Sequence, residues 1–454
     1  MNTLAVSNLP ARGSMVYVYL ASIVAAVSGL LFGFDIAVIN GAIIFLREQF
    51  ALTEFQTEVA ASSLLIGCVA GASIAGTLSD RFGRRRILIL SSLMFAASSL
   101  GAALPRNLSE FVAARFIGGV AIGVASVLAP IYIAEIAPPG IRGRLVSLNQ
   151  MAIVSGILLA YLINWLLSFV GPSGWRWMFA SAAIPSFLFF GSLFFVPESP
   201  RWLIKQGRSD EALLILGKVV GRYRAMTEFR EIEQAIADES GSLKQLLAPG
   251  LRRALLIAVV LAILQQVTGI NTVLFYGSII FKEQVGGQST SSSIGANVFV
   301  GLINFAVTIV ALWIIDRVGR KLLLMFSAAG MALSEIILGV AFFFNPPPPA
   351  VILGVILVCV ACFAVGLGPG VWVIMAELFP TRIRGRAMSV ATISLWGACV
   401  TLTLTFLSLA RAIGPSGAFW VYALMCLATV IFVWRVVPET KGKTLEEIEK
   451  LWKR

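Results

Sequence analysis

Asp35 is an acidic residue in the middle of an otherwise apolar stretch at residues 17–45. A charged side chain in such a stretch is costly unless it is protonated, hydrated or paired. Arg115, in another apolar stretch, is the available partner. Burial favours the neutral form of a carboxyl group and a nearby guanidinium favours the charged form, so a change in their separation would bind or release a proton. The pair therefore predicts proton handling, with a static ion pair as the alternative.

A second set of charged residues forms three short motifs that occur in both halves of the chain in the same order. Each motif combines a carboxylate with Arg or Lys residues nearby. The residues are Asp80, Arg81, Arg84, Arg85, Glu135, Arg142, Glu198 and Arg201 in the first half, and Asp316, Arg317, Arg320, Glu377, Arg384 and Glu439 in the second. Pairing between such groups is favourable at the dielectric of a membrane interface. We interpret them as gating clasps at the cytoplasmic face that re-form and separate as the protein changes state. Charges that only set the orientation of the chain are the alternative.

The elements that carry these residues are apolar segments long enough to cross a bilayer. Hydrophobic residues make up 58% of the 454 residues and charged residues only 13%, well below the charged fraction of about 25% in soluble domains. Twelve stretches approach or exceed the roughly 20 residues that a spanning helix needs. They lie at 17–45, 57–79, 87–104, 110–137, 144–170, 175–196, 252–281, 293–315, 321–344, 350–378, 385–410 and 416–436. The first stretch does not resemble a cleaved signal peptide.

Six stretches precede the main polar segment and six follow it, and the motifs repeat across it. The sequence thus predicts an all-α membrane protein of two homologous six-helix bundles that enclose a site between them. The predicted units are an N-terminal bundle (1–197), a linker (198–250), a C-terminal bundle (251–437) and a tail (438–454). The linker sequence predicts short amphipathic helices on the cytoplasmic side, and a flexible connection is the alternative.

A net charge of +12 could suggest a nucleic-acid partner, but the distribution of the positive residues indicates the orientation of a membrane protein instead. Most Lys and Arg residues fall in the even-numbered connections and the two tails, which places both termini in the cytoplasm. The few in or beside the odd-numbered connections are Arg47, Arg106, Arg176, Lys282 and Arg411. The five cysteines lie in apolar helices and indicate packing, and neither a metal site nor a cofactor is expected. No arrangement of catalytic residues suggests an enzyme.

Four motifs together resemble the sugar porter family of the major facilitator superfamily. They are the paired Asp-Arg-x-Gly-Arg-Arg/Lys loops, Pro-Glu-Ser-Pro-Arg at 197–201, Gln-Gln-Val-Thr-Gly-Ile-Asn at 265–271 and Pro-Glu-Thr-Lys-Gly at 438–442. The resemblance covers about 20–450, which is nearly the whole chain. It implies a major facilitator fold that alternates between outward-open and inward-open states and carries a monosaccharide or a related polyol. It also implies a bacterial-type plasma membrane, and we expect a monomer because each chain holds both halves of the site.

The resemblance assigns sugar contacts to five amides and two tryptophans. Gln and Asn each offer a donor and an acceptor, which suits a ring of hydroxyl groups, and a tryptophan covers the apolar face of a sugar. The matching residues are Gln150, Gln265, Gln266, Asn271, Asn304, Trp372 and Trp396. For the amides, interhelical hydrogen bonds are the alternative role. Leu395 and Phe275 replace an amide and a Tyr found in many family members, which leaves the identity of the sugar open.

Asp35 with Arg115 resembles the pair in proton-coupled members of the family, whereas passive members tend to carry a neutral residue. We therefore expect a proton:sugar symporter. A passive facilitator, a polyol or inositol carrier and a sugar sensor that does not transport are the alternatives. Glu335, in the middle of the ninth stretch, does not fit the family pattern and has no partner that the sequence identifies.

Overall fold

The protein is described by a computed structural model that covers residues 10, 13–237, 251–284, 289–344, 347–379 and 381–441. The described residues are helical and contain no strand. The predicted linker residues 238–250 and the tail beyond residue 441 lie outside this part of the chain.

The first six spans form the N-terminal bundle. Five are single helices and the sixth consists of two short helices in succession. Their bounds are α1 Met15–Phe50, α2 Glu54–Phe82, α3 Arg84–Ala103, α4 Leu108–Ile136, α5 Arg142–Leu167, α6 Gly174–Ser181 and α7 Ala183–Ser192.

Three linker helices follow, and then the C-terminal bundle. The linker helices are α8 Pro200–Lys205, α9 Ser209–Val220 and α10 Arg222–Ala237. The bundle consists of α11 Leu251–Val267, α12 Ile270–Ile279, α13 Thr290–Val318, α14 Arg320–Ala341, α15 Pro349–Val365, α16 Leu367–Glu377 and α17 Thr381–Val436. A π-helical turn, Ile280–Gln284, continues α12.

Ten helical segments of the described chain are long and apolar enough to cross a membrane. The number of spans rises to twelve because Gly414, at a φ of 76°, divides α17 into spans 11 and 12 and because α6 and α7 together form span 6. Spans 7 and 10 are each broken, at Gly269 and at Gly366. The architecture is thus the predicted all-α membrane protein with two six-helix bundles of the major facilitator fold.

Glycines allow close packing of neighbouring helices inside the N-terminal bundle. A Cβ atom at Gly119 of α4 would lie 1.8 Å from the carbonyl oxygen of Leu64 in α2. A Cβ atom at Gly156 of α5 would lie 2.0 Å from the carbonyl oxygen of Leu30 in α1. In a bilayer, where water does not drive helices together, small residues at the crossings allow close van der Waals packing. These two crossings hold α4, which carries Arg115, against α2, and α1, which carries Asp35, against α5.

The linker helices pack on a small apolar core of their own and dock on the N-terminal bundle. Trp202, buried in that core, donates from its indole Nε1 to the carbonyl oxygen of Asp80 at 3.0 Å. The backbone N–H of Ser14, just before α1, donates to the carbonyl oxygen of Lys218 at 2.8 Å. The linker is therefore helical over 200–237, as predicted, and rests against the repeated motif of the first half.

Candidate functional site

The three amides of span 7 lie on both sides of the break at Gly269. Gln265 donates from Nε2 to the carbonyl oxygens of Leu367 and Gly368, at 2.6 and 3.2 Å. Gln266 donates to Gln265 Oε1 at 3.2 Å, and Asn271 Nδ2 donates to Gln266 Oε1 across the break. The amides thus form one hydrogen-bonded chain that ends on the irregular segment of span 10. We call Gln265, Gln266 and Asn271 the amide wall.

Two tryptophans are placed near the amide wall through their helices. Trp372 lies on α16, whose first turn accepts the hydrogen bonds from Gln265. Trp396 is buried in span 11, and its indole Nε1 has no hydrogen-bond partner in the described part of the chain. Cys399, one turn further along that helix, accepts from Asn271 Nδ2 at 3.2 Å. An orphaned indole donor in a buried position is suited to a ligand hydroxyl.

The other two predicted amides lie on helices that pack against each other across the bundle interface. Gln150 is half-buried on α5, and Asn304 is buried on α13. The contacts described for the amide wall include neither residue. The part of the predicted site that the described hydrogen bonds connect therefore lies on spans 7, 10 and 11. Gln150 and Asn304, on spans 5 and 8, stay predicted sugar contacts.

Asp35 and Arg115 form the buried pair that the sequence predicts. Both residues are almost fully buried, and Arg115 Nη1 lies 3.3 Å from Asp35 Oδ1. Arg115 Nη2 makes a shorter bond, 2.6 Å, to the backbone carbonyl oxygen of Asp35. Asp35 Oδ2 has no hydrogen-bond partner among the described residues, and the guanidinium lies over the ring of Phe179 at 5.2 Å. Arg115 thus bonds both to the side chain of Asp35 and to the backbone of α1, and one oxygen of the carboxylate is left without a partner among the described residues.

Phe32 connects this pair to the other bundle. It precedes Asp35 by one helical turn, and its ring centroid lies 5.5 Å from that of Trp396. The sequence did not predict this contact, because an aromatic residue in an apolar stretch carries no signal of its own. The contact joins the helix that carries Asp35 to the helix that carries the predicted sugar-site residue Trp396.

Several hydrogen bonds of the described residues join the two bundles at a distance from the repeated motifs. We call the side that carries those motifs the motif end and the other side the opposite end. Asn40 of α1 donates from Nδ2 to the carbonyl oxygens of Leu274 and Val273, at 2.9 and 3.1 Å, and to Asn297 Oδ1 at 3.2 Å. Its Oδ1 accepts from the backbone N–H of Ser278 at 3.0 Å. These bonds hold span 1 against spans 7 and 8.

Glu58 is a buried carboxylate in a second contact of this kind. Its Oε1 and Oε2 accept from the backbone N–H and the Oγ of Ser408, at 2.8 and 2.7 Å. Ion pairs at the rim join the same bundles, with Lys282 Nζ 2.8 Å from Glu48 Oε1 and Arg411 Nη1 3.2 Å from Glu54 Oε2. The bundles are therefore closed against each other at the opposite end. The sequence analysis missed Asn40 and Glu58, although a polar residue inside an apolar stretch was the available signal.

At the motif end, Arg84 forms hydrogen bonds with three carboxylates from the first half of the chain. Its guanidinium binds both oxygens of Glu135, at 3.1 and 3.2 Å, and Asp80 Oδ1 at 3.1 Å. Its backbone N–H donates to Glu198 Oε1 at 2.9 Å, and that of Arg85 donates to the same oxygen at 3.1 Å. Burial raises the pKa of Glu198, while the backbone N–H donors oppose the shift.

The C-terminal bundle repeats this arrangement. Arg320 Nη2 lies 3.1 Å from Glu377 Oε1, and its backbone N–H donates to Glu439 Oε1 at 3.2 Å. The backbone N–H of Lys321 donates to Glu439 Oε2 at 3.1 Å. The weak sequence echo at Glu439 therefore has the same structural partners as Glu198. These pairs join elements of one bundle and not of the two bundles.

The remaining motif residues lie around these clusters. Arg81 and Arg317 are exposed and lie over the neighbouring rings of Phe82 and Trp313 at 5.2 and 3.9 Å. Arg142 is exposed beside the carbonyl oxygen of Ala137, and Arg201 is half-buried at the start of α8. The side chains of Asp316 and Arg384 lie outside the part of the structure that is described.

Among the described residues, no group of three or more His, Cys, Asp or Glu side chains is placed to hold a metal ion. Cys359 and Cys362 are free thiols within α15. The groups described around the amide wall and the buried ion pair are amides, aromatic rings, the Cys399 thiol and the carboxylate and guanidinium of Asp35 and Arg115.

The chain is similar to known sugar transporters along nearly its whole length. The family model for sugar (and other) transporters matches residues 21–452. The chain is 42% identical to the arabinose-proton symporter of Bacillus subtilis over 97% of this chain and 96% of the relative. It is 39% identical to the D-xylose-proton symporter of Escherichia coli, with 96% of each chain covered.

Solved structures of the E. coli xylose transporter XylE are similar along the whole chain. The proton:xylose symporter bound to 6-bromo-6-deoxy-D-glucose has a TM-score of 0.83 at 38% identity, with 96% of this chain and 99% of that chain covered. A partially occluded inward-open conformation has a TM-score of 0.85 at 37% identity, with 94% and 100% covered. The chain therefore belongs to the sugar porter family of the major facilitator superfamily.

Proposed function

We propose that this protein carries a monosaccharide together with a proton across the plasma membrane by alternating access. The observation that carries the proposal is the buried Asp35–Arg115 pair, in which one carboxylate oxygen has no partner among the described residues. The relatives named as proton symporters of arabinose and xylose support it. A passive carrier would have no use for a titratable group held at the centre of the first span.

The sugar is proposed to bind between the bundles, against the amide wall and Trp372 and Trp396. Each amide can donate to one hydroxyl group and accept from another, and the tryptophans cover apolar ring faces. Gln150 and Asn304 complete the proposed contact set from spans 5 and 8. The hydrogen bond between Gln266 and Asn271 would open to admit sugar hydroxyls, so the wall is satisfied in both states.

The motif end is proposed to face the cytoplasm, with both termini on that side. The positive-inside rule supports this orientation, because Lys and Arg residues concentrate in the connections at that end. The bundles are bonded together at the opposite end through Asn40 and Glu58. The structure then corresponds to an inward-facing state, in which the clasps link elements within each bundle.

In the outward-facing state, the clasps are proposed to hold the cytoplasmic rim closed. Proton binding at Asp35 and sugar binding at the amide wall would both occur from outside, and the opposite end would then close. Because each chain holds both halves of the site, a monomer is proposed as the working unit.

The test is uptake into proteoliposomes with and without an imposed pH gradient. The panel should contain D-xylose, L-arabinose, D-glucose, D-galactose and myo-inositol in competition. With one proton per sugar, one pH unit should drive about tenfold accumulation of the preferred sugar. Uptake that equilibrates and ignores the gradient would indicate a facilitator, and binding without uptake would indicate a sensor.

A further inference from the structure

Glu335 is a buried carboxyl group in the interior of the C-terminal bundle. It lies on α14, in span 9, and only 2% of its surface is exposed. Its Oε2 accepts from Cys426 Sγ of span 12 at 3.2 Å. Neither the proton pair nor the amide wall accounts for an acidic residue at this position.

The carboxyl group lies against the break in span 7. Gly269 has a φ of 82°, a conformation that favours glycine, and it separates α11 from α12. A Cβ atom at Gly269 would lie 3.0 Å from Glu335 Oε1 and 2.7 Å from Tyr422 Cδ2. Cys426 Sγ lies 3.8 Å from the carbonyl oxygen of Thr268. Side chains from spans 9 and 12 thus enclose the one glycine that lets span 7 bend.

The break determines how two amides of the wall are placed. Gln266 stands just before it and Asn271 just after it, and they are hydrogen-bonded to each other across it. Glycine has the largest conformational freedom of any residue, so a break at glycine needs outside contacts to hold one geometry. Within span 7, Thr272 N–H donates to the carbonyl oxygen of Gly269 at 3.0 Å, which constrains only one side of the break.

The polar and titratable groups described near Glu335 are Cys426, Tyr422 and Cys359, none of which is a cation. A charge inside a span without a cation beside it is costly. A neutral group of the same shape and hydrogen-bonding ability should therefore serve at this position as well as the carboxyl group does.

We propose that Glu335 is a positioning residue: its carboxyl group, packed against Gly269, holds the break in span 7 and thereby fixes the separation of Gln266 and Asn271. The effect on the sugar rests on the proposed function above. The effect on the break does not, and it can be measured without any sugar.

The first arm of the test is hydrogen–deuterium exchange of the full chain in lipid nanodiscs, without sugar. In Glu335→Ala, peptides that cover residues 265–273 should exchange about tenfold faster than in the parent protein, because local opening becomes easier. Glu335→Gln should exchange at the parent rate. Ser334→Ala is the matched control, because it removes a buried hydroxyl group of the same helix that, among the described residues, donates to the carbonyl oxygen of Gly330. If Glu335→Ala does not fold, Cys426→Ala tests the same enclosure and should also accelerate exchange there.

The second arm is transport of D-xylose and L-arabinose by the same variants. Glu335→Ala should raise KM about tenfold with little change in the maximal rate, and Glu335→Gln should retain the parent KM. Unchanged exchange at 265–273 in both Glu335→Ala and Cys426→Ala would overturn the proposal. Parent protein that transported none of the five substrates of the uptake panel would count against the proposed function, while the exchange arm would still decide the role of Glu335.

Discussion

Phe32 and Trp396 touch across the boundary between the two bundles, with ring centroids 5.5 Å apart. Phe32 is one turn from Asp35, and Trp396 is one turn from Cys399, which contacts Asn271. The contact between the bundles thus lies one helical turn from Asp35 on one side and one helical turn from a neighbour of the amide wall on the other. Coupling between two ligands requires that each changes the free energy of binding of the other, and we propose this contact as a route between the two sites.

Removing the Phe32 ring should weaken sugar binding, because Trp396 would lose the aromatic ring that it packs against at the boundary between the bundles. For Phe32→Ala we expect about a two- to tenfold loss of affinity, which corresponds to an aromatic contact of about 0.5–1.5 kcal/mol. Titration calorimetry on purified protein is the measurement. Phe195→Ala is the control, since that ring is 86% exposed. Equal affinities in parent and Phe32→Ala would show that the contact carries no coupling.

The amide wall should contribute directly to affinity. Gln266→Ala or Asn271→Ala should weaken sugar binding by about 1–3 kcal/mol, because a hydroxyl group and the surviving amide would be left without partners in a buried site. Asn164→Ala is a matched control: this buried amide bonds to the carbonyl oxygen of Val38 within the N-terminal bundle. Binding calorimetry on all three variants is the measurement. Unchanged affinity in both wall variants would mean that the sugar binds elsewhere.

The clasps should set the balance between the two states. In this structure Arg84 bonds within its own bundle, to Glu135 and Asp80, and we propose that in the outward-facing state it helps to close the motif end. Arg84→Ala should therefore favour inward-facing states. Arg320→Ala should act in the same direction through Glu377. Reactivity of cysteines introduced at the two ends of the interface reports the change. Arg86→Ala, which removes an exposed charge from the same loop, should leave reactivity unchanged. If Arg86→Ala changed the cysteine reactivity as much as Arg84→Ala does, the motifs would serve only to set the orientation of the chain in the membrane.

Glu58 should stabilise closure of the opposite end. Its two oxygens accept from Ser408 N–H and Oγ, and Glu58→Gln leaves only one acceptor. Ser408 Oγ must then accept from the new NH2 group instead of donating, and the weaker pairing, by about 0.5–1.5 kcal/mol, should raise the open population at that end by about two- to tenfold. Distances between spin labels at residues 55 and 413, measured by pulsed electron paramagnetic resonance, should lengthen.

Glu110→Gln is the control for that experiment, because Glu110 lies at the same end but bonds only within its own bundle. An unchanged distance distribution in Glu58→Gln would mean that Asn40 and the rim pairs close this end without Glu58.

The parts of this architecture that repeat were the parts that could be predicted. Arg84 and Arg320 stand in equivalent motifs, so their clusters follow from sequence order, and Glu439 has the partners that its counterpart Glu198 has. Twelve apolar stretches indicated the spans, and the interruption between the stretches 385–410 and 416–436 is where Gly414 breaks the helix. The Glu58–Ser408 and Asn40–Asn297 contacts join residues far apart in the chain, and no local pattern specifies which polar residues meet across a bundle interface.

The central claim is that Asp35 carries the proton that drives the sugar. Asn has nearly the same shape as Asp but does not titrate, so Asp35→Asn should retain sugar binding and equilibrative exchange and lose proton-driven accumulation. The most direct measurement is sugar-induced proton uptake: adding the preferred sugar to proteoliposomes without an imposed gradient should make the external medium more alkaline with the parent protein. With Asp35→Asn the pH should stay constant while labelled sugar still exchanges. Alkalinisation of the same size in Asp35→Asn would contradict the account, because another group would then be carrying the proton.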